Sequence, residues 1–236
     1  MIESASRLAA LGSESVTGAL FADGYAVLPG VLSDGECAQL RTAYANDGLF
    51  RSRVIMERHN FGRGEYRYFS YPLPSLIDAL RTESYTRLAP LANCWMERLG
   101  SKERFPLGLQ EMLALCVERQ QARPTALLLK YGEGDFNCMH QDVYGEVAFP
   151  LQMTFFLNEP GADYTGGEFV LAEQRPRSQT RVEVISPRRG DAVVFPNRYR
   201  PVEGARGSYR AGVRHGVSRI RSGERYTLGI IFHDAQ

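Results

Sequence analysis

Arg123-Pro-Thr-Ala-Leu-Leu-Leu-Lys-Tyr-Gly-Glu-Gly-Asp-Phe-Asn-Cys-Met-His-Gln-Asp142 is the stretch in which the chain changes its pattern. Upstream, apolar residues recur at helical spacing. From here on they fall in short runs or alternate with polar residues, and turn residues separate them, which is how strands read. The runs cover residues 125–131, 136–142, 148–157, 168–172, 181–185, 191–195, 212–219 and 225–232. Gly166-Gly167, Arg189-Gly190 and Ser222-Gly223 break them. Eight such strands predict a double antiparallel sheet, most economically a jelly roll.

Toward the N-terminus the reading is mixed. Residues 25–28 read as a strand. Ser33-Asp-Gly-Glu36 is a capping box, which predicts a helix running to about Ala45. Residues 51–74, rich in Gly, Arg and Tyr, predict a long loop or an irregular hairpin, a candidate lid. Leu76, Leu80, Leu88, Leu91, Trp95 and Leu99 recur at helical spacing over residues 74–100. Pro106 suits the first turn of a further helix with Leu109, Met112, Leu113 and Cys116 as its buried stripe. The expected fold is therefore mostly β with flanking α. A jelly-roll core over residues 123–236 carries a helical and mixed N-terminal extension over residues 1–122, packed on it as one compact domain.

The chain has 236 residues, 44% hydrophobic and 23% charged, which suits a single soluble globular domain. No apolar run is long enough to span a bilayer, and Glu3, Arg7 and Glu14 interrupt what would be an export core. Cys37, Cys94, Cys116 and Cys138 form no C-x-x-C pair, so the expectation is a cytoplasmic chain with reduced thiols and Cys138 as a small buried hydrophobe. From Arg175 onward thirteen arginines face five acidic residues, a net +8, so the remainder carries −7 of the overall +1. Such a segment suits an anionic substrate or nucleic acid. It equally describes a solvated surface in a chain with only Lys102 and Lys130 for lysines. Oligomeric state has no signature in the sequence.

His140-Gln-Asp142 carries the chemistry. In a strand, residues two apart face the same way, so His140 and Asp142 can grip one metal ion. Of the four histidines, His215 is best placed on another strand to add a third ligand. Two histidines and one carboxylate occupy one face of an octahedral ion and leave the other open, the arrangement of non-haem iron(II) oxygenases. Arg225 and Thr227 also share a strand face. A guanidinium fork beside a hydroxyl is a receptor for a carboxylate. A dicarboxylic oxo-acid held there has its other end at the metal.

At this point the segment from Tyr131 to Ala235 resembles the catalytic core of the Fe(II)/2-oxoglutarate dioxygenase superfamily, and is similar to its prolyl-hydroxylase branch. The matching residues are Tyr131-Gly, His140-x-Asp142, Thr154-Phe-Phe-Leu-Asn158, Gly166-Gly-Glu-Phe169, Gly190-Asp-Ala-Val-Val-Phe195, His215 and Arg225-Tyr-x-Leu228. The resemblance implies a double-stranded β-helix, Fe(II) held by His140, Asp142 and His215, and 2-oxoglutarate held by Arg225 with Thr227 and Tyr131. It also implies O2 as co-reactant, ascorbate as reductant, and hydroxylation or oxidative dealkylation of a C–H bond with release of succinate and CO2. With its Gly167-Glu-Phe-Val-Leu-Ala-Glu-Gln174 stretch, the chain as a whole resembles an uncharacterised bacterial group proposed to act on alkylated DNA. Phe155-Phe156 stands where some prolyl hydroxylases have a tyrosine that touches the cosubstrate.

The substrate stays open among a protein side chain, a small metabolite and an alkylated DNA or RNA base. His59, Arg67 and Tyr68, in the aromatic and arginine-rich stretch before the barrel, and Gln141 are the candidate substrate contacts. His233 reads as structural or exposed. A reading from a different class is a jelly-roll metal- or ligand-binding module, for instance a zinc site, with no oxygenase chemistry.

Overall fold

A computed structural model of the protein describes residues 6–205 and 207–236. A 3-10 turn (Leu8–Gly12) leads into α1 (Glu14–Ala22), whose first turn is capped by the Ser13 hydroxyl accepting from Val16 N. After β1 (Ala26–Leu28), α2 (Asp34–Ala43) begins on the expected capping box. Ser33 Oγ accepts from Glu36 N at 3.3 Å and the Glu36 carboxylate accepts from Ser33 N at 2.7 Å.

Residues 51–74 form the irregular hairpin rather than a loop. β2 (Phe50–Ile55) pairs antiparallel with β4 (Glu65–Phe69), and the two-residue β3 (Gly62–Arg63) lies between them in sequence. Then α3 (Ser75–Arg98) runs for 24 residues. The next helix, α4 (Leu109–Glu118), starts later than Pro106 suggested. Pro106 sits ahead of it, with its carbonyl accepting from Tyr85 Oη at 2.7 Å. Leu109, Met112 and Cys116 form the buried stripe, with Leu113 packed beside it.

The remaining strands are β5 (Leu127–Tyr131), β6 (Phe136–His140), β7 (Leu151–Phe156), β8 (Tyr164–Gly166), β9 (Phe169–Gln174), β10 (Arg181–Ile185), β11 (Ala192–Pro196), β12 (Tyr199–Gly204), β13 (Gly207–Val217), β14 (Ile220–Gly223) and β15 (Arg225–Ile231). One seven-stranded sheet has the order β1-β11-β7-β15-β5-β4-β2. The facing sheet runs β10-β9-β13-β6-β3, with β12 also on β13. Every pairing between these strands is antiparallel, as a jelly roll requires. Strands β1, β2 and β4 extend the larger sheet, so residues 26–69 build part of the barrel wall.

Three strands were not expected. β8 and β14 pair in a small sheet of their own across the two glycine breaks. They are three and four residues long, and a Cβ at Gly223 would lie 2.1 Å from Asp163 O, so only glycine lets them close up. β12 contains Pro201, which argues against a strand in sequence. It is tolerated here on a strand whose pairing is to β13.

The two faces of the larger sheet divide the molecule. Along β7, Leu151, Met153 and Phe155 pack into the helical core with Leu80, Leu88 and Trp95, while Gln152 and Thr154 face the barrel interior. Along β15, Leu228 and Ile230 join the helices, while Arg225, Thr227, Gly229 and Ile231 line the interior. The period of two in a strand makes both assignments at once. The helices bury one face of the sheet and leave the other to build a chamber.

Candidate active site

His140 ends β6 and His215 sits directly opposite it on β13. Their ring centroids are 4.1 Å apart. Asp142 lies beyond the end of the strand, not within it as the sequence pattern suggested. It turns back all the same, with Oδ2 3.1 Å from His215 Nε2 and Oδ1 3.7 Å from His140 Nε2. One ligand atom from each residue lies within 4.8 Å of the others.

Neighbouring groups set the orientation of each ligand. His140 Nδ1 donates to Cys138 O at 2.8 Å, which leaves the Nε2 lone pair facing the cluster. Gln141 Nε2 donates to Val213 O at 2.8 Å and to Arg198 O at 3.1 Å, which ties the loop to β13. Tyr144 Oη donates to Asp142 Oδ1 at 2.7 Å. Burial and then His215 push the His140 imidazole below its usual pKa, toward the neutral form. Burial opposes ionisation of Asp142, but His215, His140 and the Tyr144 hydroxyl outweigh it and hold the carboxyl well below the usual range. Neutral imidazole and ionised carboxylate are the forms that bind a divalent cation.

Arg225 is 1% exposed and stands between two rings, Phe156 at 5.2 Å and Tyr131 at 5.5 Å. Its Nε and Nη1 are buried and make no hydrogen bond to the protein. Phe156, where some prolyl hydroxylases have a tyrosine, thus gives the guanidinium an aromatic face and no hydroxyl, while Phe155 belongs to the helical core. Thr227 is buried on the same strand face. The Tyr131 hydroxyl accepts from Asn137 Nδ2 at 3.2 Å, and burial pushes that phenol up to about 12, against the pull of Arg225. Tyr164 on β8 also reaches the guanidinium, and burial raises its pKa. Gly167, at φ +66°, lets the backbone pass over Arg225. A Cβ there would meet Ile220 Cδ1 at 2.3 Å and Arg225 Cδ at 3.1 Å.

A buried guanidinium with free donors is costly unless an anion completes it. The metal-ligating set and Arg225 line one chamber of about 350 Å³. The residues therefore fit both groups that the resemblance implies. The donor set suits Fe(II), and the unpaired cation suits one carboxylate of a dicarboxylic oxo-acid.

Among the remaining expected residues, Tyr68 and Gln141 line the chamber. His59 and Arg67 do not. His59 is exposed and stacks on Phe61, and its neighbours Asn60 and Phe61 line the wall instead. In β4 the alternation turns Tyr66 and Tyr68 inward and Arg67 outward, onto Asp47 at 2.5 Å and over the Tyr44 ring. Cys138 is exposed and lines the chamber, so it is no buried hydrophobe. His233 is fully buried, accepting from Phe149 N through Nδ1. Tyr144, Tyr164 and Asn137 were missed. Tyr144 had a local signal, two residues after Asp142, while Tyr164 and Asn137 reach the site through pairing alone. Among the described residues no helix is long and apolar enough to cross a membrane.

Comparison with known proteins agrees with this geometry. The family model Oxygenase-NA, described as "Oxygenase, catalysing oxidative methylation of damaged DNA", matches residues 64–235. An uncharacterised protein of Mycobacterium tuberculosis strain H37Rv is 49% identical over 167 residues, 71% of this chain and 72% of that protein, as is its counterpart in strain CDC 1551. A 2OG-Fe(II) oxygenase family oxidoreductase from Burkholderia pseudomallei superposes with a TM-score of 0.56 at 17% identity, covering 93% of this chain and 91% of the other. A prolyl hydroxylase from Trichoplax adhaerens, solved with a hypoxia inducible factor oxygen degradation domain peptide, gives 0.54 at 16% identity, covering 93% and 87%. These two solved structures share the double-stranded β-helix fold. The chain belongs to the Oxygenase-NA family of oxygenases, and its fold and His140-Asp142-His215 set suit a dioxygenase dependent on Fe(II) and 2-oxoglutarate.

Proposed function

We propose that this dioxygenase removes an N-alkyl group from a nucleobase. In this reading His140, Asp142 and His215 hold Fe(II), and Arg225, helped by Thr227 and Tyr131, holds the distal carboxylate of 2-oxoglutarate. The observation that carries the cosubstrate half is the buried Arg225, whose Nε and Nη1 lack a protein partner, in the same chamber as the three ligands. A bare zinc module has no use for such a cation, so the rival reading leaves Arg225 unexplained.

The chamber walls carry the substrate half. Phe61, Tyr66 and Tyr68 offer aromatic surface, and Asn60, Asn137 and Gln141 offer amide groups. Asp142 and Arg225 are the only acid and the only Lys or Arg side chain among the described lining residues. A flat heteroaromatic ring with hydrogen-bonding edges suits such walls, as when a base is taken out of its stack. An alkylated base that carries positive charge gains further from the tyrosine faces. Outside the chamber, Arg198, Arg210 and Arg214 are exposed, and Arg198 and Arg210 bracket the Tyr199 ring at 4.6 and 4.8 Å. These arginines suit phosphate contact.

When bound, the metal, cosubstrate and O2 supply the oxidation that converts a C–H bond to C–OH, with one oxygen atom going to the alcohol and the other to succinate. The chain's own residues orient and shield. Arg225 and Thr227 fix one end of the oxo-acid, Gln141 and Tyr144 hold the ligand loop, and the hairpin tyrosines wall the substrate. A carbon that carries both the new hydroxyl and the base nitrogen is a hemiaminal: its C–N bond breaks, the hydroxyl proton passes to nitrogen and the carbon leaves as an aldehyde. Oxidation of an N-methyl group therefore removes it, and the product is the free base and formaldehyde.

The test is succinate and formaldehyde release from N-methylated single-stranded oligonucleotides with Fe(II), 2-oxoglutarate and ascorbate. Both products are expected from the wild type and neither from His215→Ala or Asp142→Ala. Activity in those variants overturns the site. Succinate without formaldehyde, together with hydroxylation of a proline peptide, overturns the nucleobase reading. Binding to nucleic acid is expected to fall steeply with salt.

A further inference from the structure

We infer that Tyr144 is a positioning residue for the metal centre, and that through Tyr68 it couples the β2–β4 hairpin to metal binding. This rests on the reading of His140, Asp142 and His215 as the metal site.

The need for such a residue follows from where Asp142 lies. Both histidines belong to paired strands, and the sheet ladder fixes their backbones. Asp142 follows the last residue of β6, so no ladder orients its carboxylate. The Tyr144 hydroxyl does so instead, donating to Oδ1 at 2.7 Å while Oδ2 turns to His215. A neutral phenol donating to an ionised carboxylate makes a charge-assisted bond and leaves the other lone pairs of the carboxylate available.

Tyr144 is itself anchored from both ends. Its backbone carbonyl accepts from Gln121 Nε2 at 3.0 Å, and the same amide nitrogen donates to Val147 O and Asp234 O. Gln121 Oε1 accepts from Val147 N at 2.8 Å, so a single fully buried amide ties both sides of the turn. The chain bends over that amide at Gly145, φ +86°, where a Cβ would lie 2.3 Å from Gln121 Cδ. At the other end Tyr68 Oη donates to Tyr144 Oη at 3.3 Å. Tyr68 belongs to β4, and Arg51 of β2 lies over its ring at 4.6 Å while Arg51 Nε donates to Pro124 O. The series Tyr68, Tyr144, Asp142 points every hydroxyl proton toward the carboxylate, so the bonds strengthen one another.

This chain of bonds has a thermodynamic consequence. If the hydroxyl favours the metal-binding geometry of Asp142, metal binding favours the hydrogen-bonded position of Tyr144 and Tyr68 by the same free energy. The hairpin that walls the chamber is thereby firmer when metal is present.

The test uses the whole 236-residue chain with Co(II) alone, whose visible absorption reports its ligand geometry, and no turnover. Tyr144→Phe keeps the ring and removes only the hydroxyl. Its affinity for Co(II) is expected to fall about 10- to 100-fold, the usual effect of losing a group that orients a metal ligand, and its spectrum to change. Tyr68→Phe, which leaves Tyr144 in place, is expected to weaken binding in the same direction by less. Hydrogen exchange over residues 50–69 should slow on Co(II) loading in the wild type and not in Tyr144→Phe. Unaltered Co(II) affinity and spectrum in Tyr144→Phe overturn the inference while leaving the metal site standing, provided His215→Ala fails to bind. If His215→Ala binds Co(II) like the wild type, the metal reading itself falls and this inference with it.

Discussion

Replacing Arg225 with Met should stabilise the cosubstrate-free protein and abolish its response to 2-oxoglutarate. The side chain is 1% exposed, and Nε and Nη1 lack partners. Each unsatisfied buried donor costs about 1–3 kcal/mol. The contacts with Phe156 and Tyr131 return roughly 0.5–2 kcal/mol each. The balance is a net penalty of order 1–2 kcal/mol, which Met, of similar length and apolar, removes. For a chain of this size that is a rise in Tm of about 2–8 °C. With 2-oxoglutarate bound, the sign reverses. Removing one partner of a buried ion pair costs about 3–5 kcal/mol, so cosubstrate affinity should fall by about two to three and a half orders of magnitude. Thermal melts with Mn(II) in place of Fe(II), with and without 2-oxoglutarate, read both effects. An Arg225→Met protein that melts below the wild type without cosubstrate, and still gains stability when 2-oxoglutarate is added, would refute the reasoning on both counts.

Three further outcomes follow from other sites. His233 accepts a hydrogen bond at Nδ1, and burial lowers its pKa from 6.5 to about 4, so the unfolded chain takes up the proton first. Its contribution to stability is full above about pH 6.5 and is lost as the pH falls toward 4, by roughly 3 kcal/mol. His233→Asn, which keeps an acceptor for Phe149 N, should flatten denaturant midpoints across that window, and an unchanged slope counts against the assignment. A maleimide should modify Cys138 well before the buried Cys37 and Cys116, with mass spectrometry as the readout, and equal rates at all three contradict the exposed cavity wall. Gly167→Ala should destabilise the fold by about 1–3 kcal/mol in urea, because its φ is +66° and a Cβ meets Ile220 at 2.3 Å. It should also weaken 2-oxoglutarate binding by displacing Arg225, and a variant as stable as the wild type speaks against the close crossing.

The local features were legible because their causes are local. The capping box at Ser33 and Glu36 needs only four consecutive residues, and the strand runs from residue 125 onward are short apolar or alternating stretches bounded by turn residues. Arg225 and Thr227 share a face for the same reason. Where the period was broken, the sequence misled. Glycines hid β8 and β14, Pro201 hid β12, and the mixed residues of 51–74 left loop and irregular hairpin both open, so the alternation that separates Tyr66 and Tyr68 from Arg67 was not legible.

Sequence by itself determined the residue types at the site: two histidines and an arginine on strands of an antiparallel barrel, and an aspartate two residues after His140. Only the tertiary structure decided their meeting. His215 faces His140 because β13 pairs with β6 in one register, and a slip by one residue would turn it to the other side of the sheet. Asp142 lies off the strand and is held by Tyr144, itself anchored by Gln121 from the loop that follows a helix. That Nε and Nη1 of Arg225 have no protein partner is likewise a property of everything packed around them. Periodicity is written into neighbouring residues, whereas register and burial arise from contacts between segments far apart in the chain.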